Sequence, residues 1–194
     1  MSVAEKIIFV TGLPCIGKTR ALLRLCKKLE SRYIQFDNYR DLHTPRKVSV
    51  DLQSFDIGFP FRGFPLTFDE WCRLIETTDG FISFYKWLGN NVGLDFVNYL
   101  EMESESSPKP IVCEISPFVL SVLPQRHPVI MCNISRALHT ERLAQKIGCS
   151  NEEAHMVSTF YSQAYIRVKG HINLECAINL ASLSNSLARI LLSV

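Results

Sequence analysis

One stretch, Gly12-Leu13-Pro14-Cys15-Ile16-Gly17-Lys18-Thr19, constrains this chain more than any other. It follows the apolar run Ile7-Ile8-Phe9-Val10 and precedes a helical pattern, so it turns the chain from a buried strand into a helix. It fits G-x-x-x-x-G-K-[ST] in full. The two glycines let the backbone bend until successive N–H groups face one concavity, where the helix N-terminus adds its dipole. The pattern implies that Gly12 to Thr19, together with Arg20, bind the phosphates of a nucleoside triphosphate. Lys18 would reach the β- and γ-phosphates and the Thr19 hydroxyl would ligate Mg²⁺.

At 194 residues the chain is most simply one domain, long enough to bury about 70% of its unfolded surface. A hydrophobic content of 47% with 21% charged residues excludes a disordered chain, and no run approaches the ~18 apolar residues of a bilayer span. No membrane partner is expected. The net charge of +2 is too small to argue for nucleic acid by itself. The N-terminus lacks a signal-peptide layout, because its apolar stretch is strand-length and leads into the phosphate loop. Seven cysteines without a C-x-x-C pair read as reduced thiols, mostly in apolar runs, and a zinc site is not expected. Both features suit a reducing cytoplasm, the host's if the chain is viral.

In order along the chain, Thr19 to Leu29 reads as a helix with Leu22, Leu23, Leu25, Cys26 and Leu29 on its apolar face. Tyr33 to Phe36 reads as a second strand ending at Asp37-Asn38-Tyr39-Arg40. Residues 41–66 are irregular by pattern, with prolines and glycines punctuating Phe55, Phe59, Phe61 and Phe64; these aromatics could stack on a planar base or pin the loop to the core. Thr67-Phe68-Asp69-Glu70 is a capping box opening a helix. Phe81 to Leu88 and Val92 to Met102 read as two further helices separated by Gly89-Asn90-Asn91. Residues 41–108 are thus a mostly helical insertion before a third strand, Ile111 to Ile115. A fourth strand, Val129 to Ile134, precedes helices over about 136–146 and, after a second capping box at Ser150 to Glu153, about 150–168. His171 to Ile178 reads as the last strand and Leu183 to Leu192 as the closing helix.

Phosphoryl transfer also needs a metal ligand, an oriented acceptor and neutralised charge. Glu114 ends a buried strand, where open α/β sheets place ligands, and could hold Mg²⁺ with Thr19; it could equally cap the next turn. Asp37 ends the second strand on the same sheet edge and could orient an acceptor hydroxyl or take its proton, or else form an Asx-turn. Arg40 and Arg62 could meet a substrate phosphate. Arg136, Arg142 and Lys146 could neutralise developing charge, Arg142 foremost, or simply face solvent; His139 between them is weaker because it is largely neutral at pH 7.

This order of elements resembles P-loop kinases of the nucleoside and nucleotide type. The stretch Arg136 to Ser162, with Glu141-Arg142-Leu143, Gly148 and Ser150-x-Glu152-Glu153, is similar to the lid region of nucleoside-monophosphate and dephospho-coenzyme A kinases. The resemblance implies an α/β three-layer sandwich with a five-stranded parallel sheet in the order 2-3-1-4-5, a helical insertion between strands 2 and 3, and a helical lid over about 136–168 that closes on ATP. It implies an ATP- and Mg²⁺-dependent kinase acting on a hydroxyl or phosphate of a nucleoside- or nucleotide-like acceptor. The alternatives are a phage-type kinase acting on a hydroxymethylated base in DNA, with a flipped base in the aromatic insertion, and a nucleotide-dependent switch or assembly ATPase. Against the last stand the missing N-K-x-D motif and the missing acidic pair after the third strand.

Overall fold

The computed structural model describes residues 6–43, 81–82, 85–86, 88–169, 176–179, 183, 185 and 187. Their frame is a parallel sheet of β1 (Ile7–Gly12), β2 (Arg32–Gln35), β3 (Ile111–Glu114), β4 (Val129–Asn133) and β5 (Cys176–Asn179), in the spatial order β2-β3-β1-β4-β5. β1 is central and buried along its whole length. Side chains alternate across a strand, so Ile7 and Phe9 enter one apolar cluster while Ile8 and Val10 enter another on the opposite face. That two-sided burial is why the run reads as continuously apolar.

The helices α1 (Lys18–Lys28) and α3 (Leu94–Glu105) cover the two faces. Leu22 and Cys26 of α1 join Ile8 and Val10, with Leu183 and Leu187 beside them; Phe96 and Leu100 of α3 join Ile7 and Phe9. Three layers result. A third cluster lies against α5 (Arg136–Ile147) and α6 (Asn151–Lys169), where the ring of Phe81 meets Phe118 and Phe160 edge-on at 5.0 and 5.1 Å. Gly148 ends α5 with φ 76. The capping box opening α6 is reciprocal: the Ser150 N–H donates to Glu153 Oε2 at 2.7 Å and the Glu153 N–H to Ser150 Oγ at 3.2 Å.

Several boundaries differ from the sequence expectation. β2 stops at Gln35, and Phe36 opens α2 (Phe36–His43), because buried Phe36 packs on Phe96 and draws the chain into a helix at once. Asp37 is therefore a first-turn helical residue, and residues 41–43 continue the helix. Gly89-Asn90-Asn91 is no break. Residues 89–93 form a π-helical turn running directly into α3. The glycines are there for close packing: a Cβ on Gly89 would lie 2.3 Å from Val122 Cγ2, and one on Gly93 2.7 Å from Leu123 Cδ2. α3 also extends to Glu105, past the Met102 at which the sequence pattern ends. A short helix, α4 (Pro117–Leu120), follows β3; Ser116 caps it and Pro117 stands at its first position. The aromatics between 55 and 64, the capping box at Thr67 and the first residues of the expected last strand lie outside the described residues.

Candidate active site

The phosphate loop leaves β1 at Gly12, whose φ of 141 no side chain tolerates well; a Cβ there would stand 2.4 Å from the Cys132 carbonyl oxygen of the adjoining strand. Cys15 and Gly17 both take the left-handed conformation, with φ 59 and 93. Such a sequence of backbone turns makes an anion-binding concavity. The loop's carbonyls are held from the protein side. Lys18 Nζ donates to the Gly12 and Leu13 oxygens at 3.0 and 2.7 Å, and Arg142 of α5 donates to the Ile16 oxygen. His139, one turn before Arg142, places Nε2 3.0 Å from the Pro14 oxygen and Nδ1 2.9 Å from Ser158 Oγ of α6. Burial, with Lys18 nearby, pushes the imidazole down to about 4, so it is neutral at pH 7.

Glu114 ends β3 in register with Val10 and Gln35. The Thr19 hydroxyl donates to its carboxylate at 2.9 and 3.2 Å, and Lys18 Nζ stands 3.8 Å from Oε1. The phenol of Tyr33, on β2, donates to Oε2. Burial first, and then the Glu114 charge, push the Tyr33 hydroxyl well above its ordinary range, which keeps it a donor. Thr19 and Glu114 are hard oxygen donors on one spot. Among the described residues no group of three or more His, Cys, Asp or Glu could hold a metal ion. A hydroxyl and a single carboxylate suit Mg²⁺, which keeps several waters and shares its shell with substrate phosphates.

Lys18, Thr19 and Glu114 open onto one cavity of about 600 Å³. Of the residues expected to bind nucleotide, Gly12, Pro14, Cys15, Gly17, Lys18, Thr19 and Arg20 line it. The side chains of Leu13 and Ile16 instead pack into the core, so these two offer only backbone. Asp37, Glu114, Arg142 and Lys146 line it as well, and Asp37 shares its wall with Gln35 and Phe36. Arg136 is the exception among the basic trio: it donates to Thr159 Oγ1 and ties α5 to α6. The side chain of Arg40 and the whole of Arg62 lie outside the described residues. Tyr85, Pro117, Phe118 and Tyr161 add an apolar wall to the cavity.

His139, the weaker candidate for neutralising charge, instead holds a loop carbonyl, and Tyr33 was not legible as a site residue. No motif marks this tyrosine, but Gln35 pairs with Glu114, so Tyr33, two residues earlier, shares a face of the sheet with Glu114, which strand pairing would have shown. Cys15 lines the cavity, and burial pushes its thiol up to about 11, so it is a poor nucleophile at neutral pH. Cys15, Cys26 and Cys113 are free thiols. No helix among the described residues is long and apolar enough to cross a membrane.

No family model matches the chain, and no curated relative does. Solved structures do. The TT1252 protein from Thermus thermophilus aligns over 97% of both chains at 18% identity with a TM-score of 0.60. Shikimate kinase from Bacteroides thetaiotaomicron aligns over 97% of this chain and 98% of its own at 15% identity and TM-score 0.53. Dephospho-CoA kinase from Campylobacter jejuni aligns over 97% and 96% at 12% identity and TM-score 0.51. The fold is therefore the α/β fold of P-loop kinases, as the resemblance in the sequence implies.

Proposed function

We propose that this chain is an ATP-dependent kinase that transfers the γ-phosphoryl group to a hydroxyl or phosphate of a nucleoside- or nucleotide-like acceptor. The observation that carries the reading is convergence: Lys18, Thr19, Glu114, Asp37 and Arg142 meet on one cavity at the C-terminal edge of a parallel sheet. The backbone N–H groups of the loop cradle the phosphates, and the Lys18 and Arg142 cations balance charge on the transferred group. Thr19 and Glu114 would hold Mg²⁺, which when bound neutralises phosphate charge. Asp37 orients the acceptor hydroxyl or accepts its proton. The apolar wall of Tyr85 and Phe118 suits a planar acceptor. The three apolar clusters around one sheet support reading residues 1–194 as a single domain with α5 and α6 as its lid.

The test is ATP turnover against a panel of nucleosides, monophosphates, coenzyme A precursors and DNA carrying hydroxymethylated bases. Acceptor-dependent ADP release identifies the acceptor; turnover that no member of the panel changes refutes the kinase reading. Asp37→Asn should slow transfer by roughly 100-fold or more with ADP binding retained, the usual size of a general-base contribution. Near-normal transfer would leave Asp37 a helix-start residue only.

A further inference from the structure

A trans peptide is planar, so its C=O and N–H point to opposite sides. In a loop whose N–H groups serve an anion, the carbonyls must face the protein, and buried carbonyls need donors. Lys18 serves the first two and Arg142 serves Ile16. The Pro14 carbonyl is served by His139, which is 1% exposed. A carbonyl only accepts, so Nε2 carries the proton; Nδ1 is then the acceptor, and the Ser158 hydroxyl donates to it. The next residue, Cys15, is held at φ 59, a conformation that costs a non-glycine residue energy and persists only where neighbours impose it.

We propose that His139 is a positioning residue for the phosphate cradle. As the Nε2–H tautomer that the Pro14 carbonyl selects and the Ser158 hydroxyl completes at Nδ1, it fixes the Pro14–Cys15 peptide with the Cys15 N–H turned to the opposite side, toward the phosphates. The role rests on the nucleotide-site reading above. It makes α5 part of the cradle: His139 and Arg142 are spaced i, i+3, on one face of the helix, and hold alternate carbonyls of the loop. The titratable groups around the ring are Lys18 and Tyr161, the latter with its ring 6.3 Å away. Burial and the Lys18 charge both favour the neutral ring that the arrangement needs.

The experiment pairs calorimetric titration with ADP and ¹⁵N-histidine NMR on the full chain. Wild type should show His139 at pH 7 as a neutral ring protonated on Nε2. His139→Leu should weaken ADP binding about tenfold, the effect of an unserved buried carbonyl, and His139→Gln, whose amide can donate to the same oxygen, should recover most of it. Should His139→Leu fail to fold, Ser158→Ala decides: it leaves Nδ1 without its donor and the ring less firmly held, so it should weaken ADP binding while the Nε2–H tautomer on Pro14 persists. An imidazolium or an Nδ1–H tautomer at pH 7 overturns the proposal. So does unchanged ADP affinity in folded His139→Leu or Ser158→Ala beside a wild type that binds. A wild type that binds no ADP removes the nucleotide site itself, and with it this role.

Discussion

Gly89→Ala tests the packing that replaced an expected helix break. In an ordinary helix interior the change would stabilise by about 1 kcal/mol. Here the added methyl would lie 2.3 Å from Val122 Cγ2 and 3.0 Å from the Val119 carbonyl oxygen. Normal contact begins near 3.4 Å, so the valine methyl must retreat by roughly 1 Å. Valine is stiff at χ1, and a backbone oxygen blocks the other direction. Overpacking of this kind costs up to about 3 kcal/mol, leaving a net loss of about 2 kcal/mol after the helix gain. For a chain of this size that lowers Tm by roughly 4–8 °C. Urea and thermal unfolding measure it. Gly93→Ala is the control, because its 2.7 Å contact is the far end of Leu123, which can swing away, and it should be near neutral. Adding Val122→Ala to Gly89→Ala should show positive coupling of about 1 kcal/mol in a double-mutant cycle. A Gly89→Ala protein as stable as wild type would show that the glycine serves the π-helical backbone or nothing at all, and would refute the steric reasoning.

Two further outcomes follow from the site. His139 titrates near 6.5 when unfolded and about 4 when folded, so the unfolded chain binds the extra proton first. Its contribution is whole above pH 6.5 and is lost as pH falls toward 4; wild type should lose up to about 3 kcal/mol over that window relative to His139→Gln. Parallel stability curves for the two proteins would contradict this. Tyr33→Phe removes a donor that orients Glu114 and should raise the Mg²⁺ concentration needed for half-maximal turnover by roughly tenfold, in the manner of other partners behind a metal ligand. An unchanged Mg²⁺ dependence would leave Tyr33 as packing.

The central strand, the phosphate loop, α1 and the α5–α6 pair were legible because each carries a local signal: a continuous apolar run, glycines at fixed spacing, or a capping box. Glu114 was legible because an acid at the end of a buried run is physically anomalous. What escaped notice depends on distant residues. Gly89-Asn90-Asn91 looks like a break, since nothing local reveals Val122 across the interface from Gly89. Phe36 looks like strand, since its helix start is set by packing on Phe96. His139 looks like a surface histidine between two arginines, yet α5 turns it inward onto a carbonyl 125 positions earlier. α4 could have been found: Ser116-Pro117 before apolar residues is a helix start.

The position of β1 has a consequence for how the chain is made. Its two neighbours are β3 and β4, and Gly12 pairs opposite Cys132. On a ribosome adding 5–20 residues per second, that partner appears roughly 6–24 s after Gly12 does. For most of that interval, until β3 is made, Ile7 to Val10 has neither edge paired and only α1 to cover a face, and nascent chains in this condition aggregate or are held by chaperones. The strand that ends buried along its whole length begins with both edges open, and the phosphate loop gains its geometry only when β4 and then His139 and Arg142 of α5 arrive.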